Sequence, residues 1–190
     1  MKWTTGTKVF VGIAVVVVLL LLWFWGSYNG LVNADEKVNE QWSNVESQYQ
    51  RRVDLIPNLV NTVKGFAHQE LEVFTEVTRL RSQWAAAATR EQKIATATEI
   101  EGALSRLLVV AESYPQLKSN ENFLALQAEL AGTENRIAVE RMRYNEYARA
   151  LNVKIRRFPT NVVASWFGFE NASYFEADQG AEHAPTVSFQ

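Results

Sequence analysis

The chain has 190 residues, with 19 lysines and arginines against 21 aspartates and glutamates, and it contains no cysteine. Lack of cysteine excludes disulfides, thiolate metal sites, a cysteine nucleophile and acylation on a lipobox cysteine. The first 25 residues hold two lysines and no acid, so the remainder carries 17 basic and 21 acidic side chains, a net of −4; that balance argues against nucleic acid as a partner, because phosphate binding relies on clustered Lys and Arg.

From Val9 to Trp25 the chain reads VFVGIAVVVVLLLLWFW, seventeen residues without a charge, about 26 Å of helix at 1.5 Å per residue. That length spans a bilayer core. Trp3 lies on one side, with Trp23, Trp25 and Tyr28 on the other, where interfacial aromatics belong. Bulky Trp23, Phe24 and Trp25 stand where a signal peptidase needs small residues, so the segment reads as a retained anchor rather than a cleaved signal peptide. Lys2 and Lys8 precede the segment while only Lys37 follows it closely. The positive-inside rule therefore predicts a cytoplasmic N-terminus and a domain facing outward.

After residues 1–8 and the transmembrane helix of residues 9–25, Gly26 and Gly30 predict a flexible neck over 26–33. A helical bundle over 34–168 and an extended tail over 169–190 complete the organisation. Asn33 or Asp35 caps the first bundle helix, and apolar residues recur from Val38 through Val77 at spacings of three or four with one gap at Arg52 and Val53. The predicted helix runs from about residue 34 to Trp84, roughly 75 Å. Pro57 predicts a kink in it, with Asp54 and Asn58 partnering the backbone groups that the kink frees. Thr89 and Gln92 form a capping-box pattern for a second helix with Ile94, Ala97, Ile100, Leu104, Leu107, Leu108 and Ala111 inward, stopping before Pro115. Ser119 or Asn120 caps a third helix that ends at Phe158 and Pro159, and Thr160 caps a short last one closed by Gly168. The fold class is thus all-α: a transmembrane helix, then an elongated antiparallel bundle of three long helices, the first kinked, and one short C-terminal helix.

Reactive chemistry finds little purchase. The two histidines, His68 and His183, stand in no Glu-x-x-His pattern, there is no G-x-S-x-G elbow and no phosphate-cradling glycine loop. No enzyme activity, metal or cofactor is expected. Polar residues that interrupt the apolar stripes are more informative: Arg52 between Tyr49 and Ile56, and Glu134 and Arg141 flanking Ile137. Two readings stand, an interhelical ion-pair cluster of Arg52, Glu134 and Arg141 that fixes helix register, or side chains that snorkel to water past apolar neighbours. Near the end, Trp166, Phe167, Phe169, Tyr174 and Phe175 make an aromatic group suited to covering the bundle, entering the bilayer surface or meeting a partner.

The runs QYQRRVDLIPNLVNTVKGFAHQE (Gln48 to Glu70), GALSRLLVVAESYPQLK (Gly102 to Lys118) and LAGTENRIAVERMRYNE (Leu130 to Glu146) resemble the LemA family, as do the neck YNGLV and the tail from Tyr174 to Phe189. The resemblance covers essentially the whole chain in order and implies a bacterial membrane-anchored protein with a helical-bundle domain. It brings no activity, substrate or cofactor. Family members tend to place the histidine directly before the glutamate, whereas Gln69 separates His68 from Glu70 here.

Together these features predict a non-catalytic scaffold or assembly protein of the bacterial envelope. Its partners are the lipid bilayer and either other envelope proteins or further copies of itself, as a homo-oligomer. Helix length motivates the reading: the first and third helices, roughly 75 and 60 Å, outrun the second at ~36 Å and leave apolar stripe without a partner. The alternative is a membrane-anchored module that senses a small ligand or cell-wall fragment in a pocket lined by Arg52, Glu134 and Arg141.

Overall fold

The computed structural model describes residues 5–67 and 70–175. Six helices follow one another among these residues: α1 (Thr5–Lys64), α2 (Leu71–Ala86), α3 (Arg90–Glu112), α4 (Pro115–Lys118), α5 (Glu121–Arg156) and α6 (Thr160–Phe167). Among the described residues there is no strand. His68, His183, Trp3 and the tail beyond residue 175 lie outside the described residues.

Two of the expected boundaries change. The neck over 26–33 is not a break, since α1 runs unbroken through Gly26 and Gly30. Burial of Leu31, with Phe24 and Tyr28 packed against the same cluster, holds this stretch helical and offsets the modest propensity cost of two glycines. The helix expected to reach Trp84 instead ends at Lys64. Gly65 weakens it there, and the turn that follows is closed by the Phe66 and Ala67 amides donating to the Val63 carbonyl at 3.0 and 2.9 Å. Leu71 then opens a separate helix, α2, which buries Phe74, Val77, Leu80 and Trp84. The periodicity that links Val63 to Phe74 conceals this reversal, because a stripe interrupted by one turn keeps nearly the same spacing.

Other expectations meet their structures directly. Thr89 and Gln92 form the capping box: the Gln92 amide donates to Thr89 Oγ1 at 3.2 Å and the Thr89 amide to Gln92 Oε1 at 3.3 Å. Asn120 caps α5 by accepting from the Phe123 amide at 3.1 Å. Gly168, at φ 71°, closes α6 in the left-handed region that suits glycine. Thr160 is the first helical residue rather than the cap, a position held by Pro159. Pro57 lies inside α1. Beside it, Asp54 accepts from the Gln50 side-chain amide at 2.8 Å, and the Asn58 backbone carbonyl accepts from the Thr62 hydroxyl at 2.8 Å.

The chain divides into two units, one of Met1–Ser43 with Arg143–Ala172 and one of Asn44–Met142 with Ser173–Gln190. In the second unit α1, α2, α3 and α5 alternate in direction. Trp84 on α2 donates to Gln50 on α1 at 3.3 Å, while Lys64, later on α1, lies over the ring of Phe74, earlier on α2. Four helices, not three, enclose this core. The α1 stripe through Val45, Tyr49, Val53, Ile56, Leu59 and Val63 is fully covered within the chain, so the surplus expected from helix lengths does not lie there.

In the first unit α5 returns antiparallel to α1. The Trp42 and Tyr144 rings meet edge to face at 5.8 Å, and the Lys154 ammonium donates to the Gly30 carbonyl at 3.0 Å. Buried Asn152 ties down the segment after α6, donating to the Ala172 carbonyl at 2.9 Å and accepting from the Ala172 amide at 2.8 Å. Residues 9–22 of α1 expose their large apolar side chains, Phe10 at 73% and Leu22 at 65% among them. By length and composition α1 is able to cross a membrane.

Candidate functional site

The gap in the apolar stripe at Arg52 is the centre of a buried ionic cluster within the second unit. Arg52 is only 3% exposed, and a guanidinium so placed needs partners on every side. It pairs with Glu134 on α5, lies 3.6 Å from the Glu101 carboxylate on α3, and donates through Nε to the Thr133 hydroxyl at 3.4 Å. Thr133 in turn donates to the Leu130 carbonyl at 2.7 Å. Arg141 approaches Glu101 from the other side at 3.4 Å and lies over the Phe175 ring at 4.9 Å.

Glu101, which the stripe reading passed over, is the hub. Tyr49 donates to it at 2.9 Å, so α1, α3 and α5 meet on one carboxylate. Its position was legible in principle, because Ala97, Glu101, Leu104 and Leu108 recur at spacings of four, three and four on one helix face. Burial pushes the Glu101 carboxyl above its ordinary range, opposed by Arg141, by the Tyr49 hydrogen bond and by Arg52. Burial, with Glu101 beside it, also drives the Tyr49 phenol far upward, so it stays a donor at any physiological pH.

The three residues singled out in the sequence are therefore joined through a fourth. Arg52 and Glu134 touch directly; Arg141 reaches them only by way of Glu101. The pair is asymmetric, since the Glu134 side chain is 52% exposed. Beside it, α3 and α5 border a cleft of about 350 Å³ lined by Arg52, Glu101, Leu104, Leu108, Leu130 and Glu134. Arg141 is not on its wall. Among the described residues no three His, Cys, Asp or Glu side chains converge as a metal site requires.

Outside this cluster, surface pairs join the same helices. Arg51 meets Glu129 at 2.5 Å, and Lys93 pairs with Glu46 while lying over the Trp84 ring. The exposure of Arg51 makes the first pair worth little alone, whereas Lys93 and Glu46 are half-buried.

The sequence model of the LemA family matches residues 41–189, nearly all of the chain beyond the apolar run. The chain belongs to the LemA family. Similar proteins include magnetosome protein MamQ 2 of Paramagnetospirillum magneticum, 28% identical over 86% of this chain and 69% of the relative. Magnetosome protein MamQ of Magnetospirillum gryphiswaldense is 26% identical over the same shares. Protein LemA of Metamycoplasma hominis is 23% identical over 92% of this chain and 82% of its own length. The ionic cluster of this LemA-family chain lies wholly inside the matched region.

Proposed function

We propose that this LemA-family protein is a non-catalytic scaffold that acts by associating with other copies of itself and with other envelope proteins. Residues Val9–Trp25 anchor it in the bacterial plasma membrane, with the N-terminus cytoplasmic and the helical domain outward. The observation that carries this reading is a second apolar strip on α5. Phe123, Leu130 and Ile137 face the core. At 100° per residue Leu124, Ala128, Val139 and Met142 fall on the opposite side within a sector of about 60°, which exposed Asn135 interrupts midway. All four are exposed, Met142 at 66%. Two exposed apolar pairs in line along one helix face favour a helical partner.

The ionic cluster supports the same reading from the other direction. Its carboxylates and guanidiniums are engaged with one another across three helices, which suits a register lock better than a reaction centre. None of the relatives named above carries an enzyme's name. The cleft between α3 and α5 favours the second reading, a module binding a small ligand. Such a ligand must compete with the Arg52–Glu134 pair and gains nothing from Arg141, which stands apart from the cleft.

Single-molecule photobleaching of the labelled full chain, reconstituted at low density in bilayers, tests the scaffold reading. Multiple bleaching steps are expected, reduced to one by Val139→Glu with Met142→Glu. Single steps in the unsubstituted protein at every density remove self-association and leave the ligand module as the better account.

A further inference from the structure

Helix α6 is fixed beside the foot of the apolar run. Its Trp166 and Phe167 rings lie 6.3 and 5.9 Å from the ring of Phe24, in the last turn of that run, and Phe167 lies 4.7 Å from Tyr28. Behind them Leu31, Val163 and Ala164 are fully buried, with Ile155 and Phe169 packed against them. The contact therefore sets the height of α6 along α1: Trp166 stands level with the end of the membrane segment. Only one side of α6 is used in this packing. Trp166 remains 75% exposed and Phe167 51%, and Trp25 on α1 is 71% exposed.

Charge follows the same placement. No acidic residue occurs between Glu146 and Glu170, while Arg149, Lys154, Arg156 and Arg157 fall in that interval. Arg156 and Arg157 are exposed and form no ion pair with a described carboxylate, and Lys154 is held against the Gly30 carbonyl of α1. Exposed aromatic rings beside unpaired cations, at the level where an apolar helix leaves a bilayer, match the chemistry of the headgroup layer.

We propose that α6 and the end of α5 form a second membrane contact, in which Trp166 and Phe167 enter the interfacial layer beside α1 and Arg156 and Arg157 meet anionic lipid headgroups. This inference rests on reading Val9–Trp25 as the membrane segment. It goes further in holding the first unit to the bilayer at two points, so that α1 does not tilt independently of α5 and α6.

The chain has no cysteine, so single-cysteine variants of the full protein carry a fluorophore at one chosen place. Ser165→Cys reports α6 while keeping Trp166, Leu19→Cys reports the apolar run, and Val109→Cys, exposed on α3, is the aqueous reference. In vesicles of phosphatidylcholine with 30% phosphatidylglycerol, about that of a strongly anionic leaflet, quenching by lipids spin-labelled at the headgroup and shallow acyl positions is measured against iodide. The expected result is deep-label quenching at residue 19, and at residue 165 headgroup-label quenching several-fold above residue 109 with shielding from iodide. Quenching at 165 should fall in phosphatidylcholine alone, and in the charged vesicles on Arg156→Ser with Arg157→Ser. Residue 19 quenched but residue 165 open to iodide overturns this inference and leaves the anchor standing. Residue 165 shielded from lipid and iodide alike assigns the face to a protein and overturns it equally; no lipid quenching at residue 19 overturns the anchor itself. Quenching at 165 indifferent to lipid charge and to the arginine substitutions removes the headgroup contact.

Discussion

The Tyr49 hydroxyl donates a 2.9 Å hydrogen bond to the Glu101 carboxylate, joining α1 to α3 at a carboxyl that two arginines also approach. Burial outweighs these partners and raises the Glu101 pKa above its ordinary value of 4.5. A carboxyl with a raised folded pKa holds its proton more tightly folded than unfolded. Its contribution to stability is therefore full below pH 4.5 and is lost as pH rises through the raised folded value. The stability of the unsubstituted chain relative to Glu101→Gln should fall with pH across that window and then level off. Denaturant unfolding of both proteins in detergent at a series of pH values reads this. A relative stability that rises with pH would mean that ion pairing, not burial, governs Glu101.

Arg52 and Glu134 differ in burial, and their substitutions should differ in cost. Arg52→Ala strands Glu101 in the core beside one remaining arginine, and the expected loss is about 3 kcal/mol or more. Glu134→Ala removes a half-exposed partner while Glu101 still faces Arg52, so the loss should be under about 1 kcal/mol. The two together should cost less than their sum, by roughly 1 kcal/mol of coupling. A double-mutant cycle by denaturant unfolding checks all three values; strict additivity would show that the pair does not act as a unit.

Asn152 spans both backbone groups of Ala172. Asn152→Ala leaves those groups without their partner and should cost about 1–3 kcal/mol. Hydrogen exchange at the Ala172 amide should quicken well before any global loss of helix. Unchanged protection there would show that the segment after α6 is held by packing alone.

Much of the fold was readable because helical signals are local. The Thr89 capping box, the Asn120 cap and the Gly168 stop each lie within four residues of the helix they end. Position 65 was harder. A lone glycine inside an apolar stripe is tolerated in many helices, and only the packing of Phe74, Val77, Leu80 and Trp84 as a separate α2 decides that the chain reverses there. The neck erred in the other direction, because burial of Leu31 beside α6 is tertiary and overrode two glycines. Arg52, Glu134 and Arg141 stood out as charges among apolar neighbours. Glu101 did not, since the apolar residues around it recur without a visible gap, and neither Thr133 nor Asn152 carries a charge to draw notice.

Continuity of α1 through Gly26 and Gly30 makes a simple stability prediction. A Cβ at either position meets nothing within 4 Å, and both residues are helical. Gly30→Ala should therefore stabilise the protein by about 0.5–1 kcal/mol, seen as a raised Tm. A drop in Tm would point to a backbone at Gly30 that alanine does not fit.

The scaffold reading stands most directly on the outward strip of α5. A photo-crosslinking amino acid placed at Met142 in the full chain, activated in intact cells, tests it in the native membrane. The predicted result is a light-dependent adduct at twice the mass of the chain. A probe at exposed Ser82 on α2 should give none. A folded, membrane-inserted protein that gives no dimeric adduct at position 142, or equal adducts at 142 and 82, would contradict association through this strip.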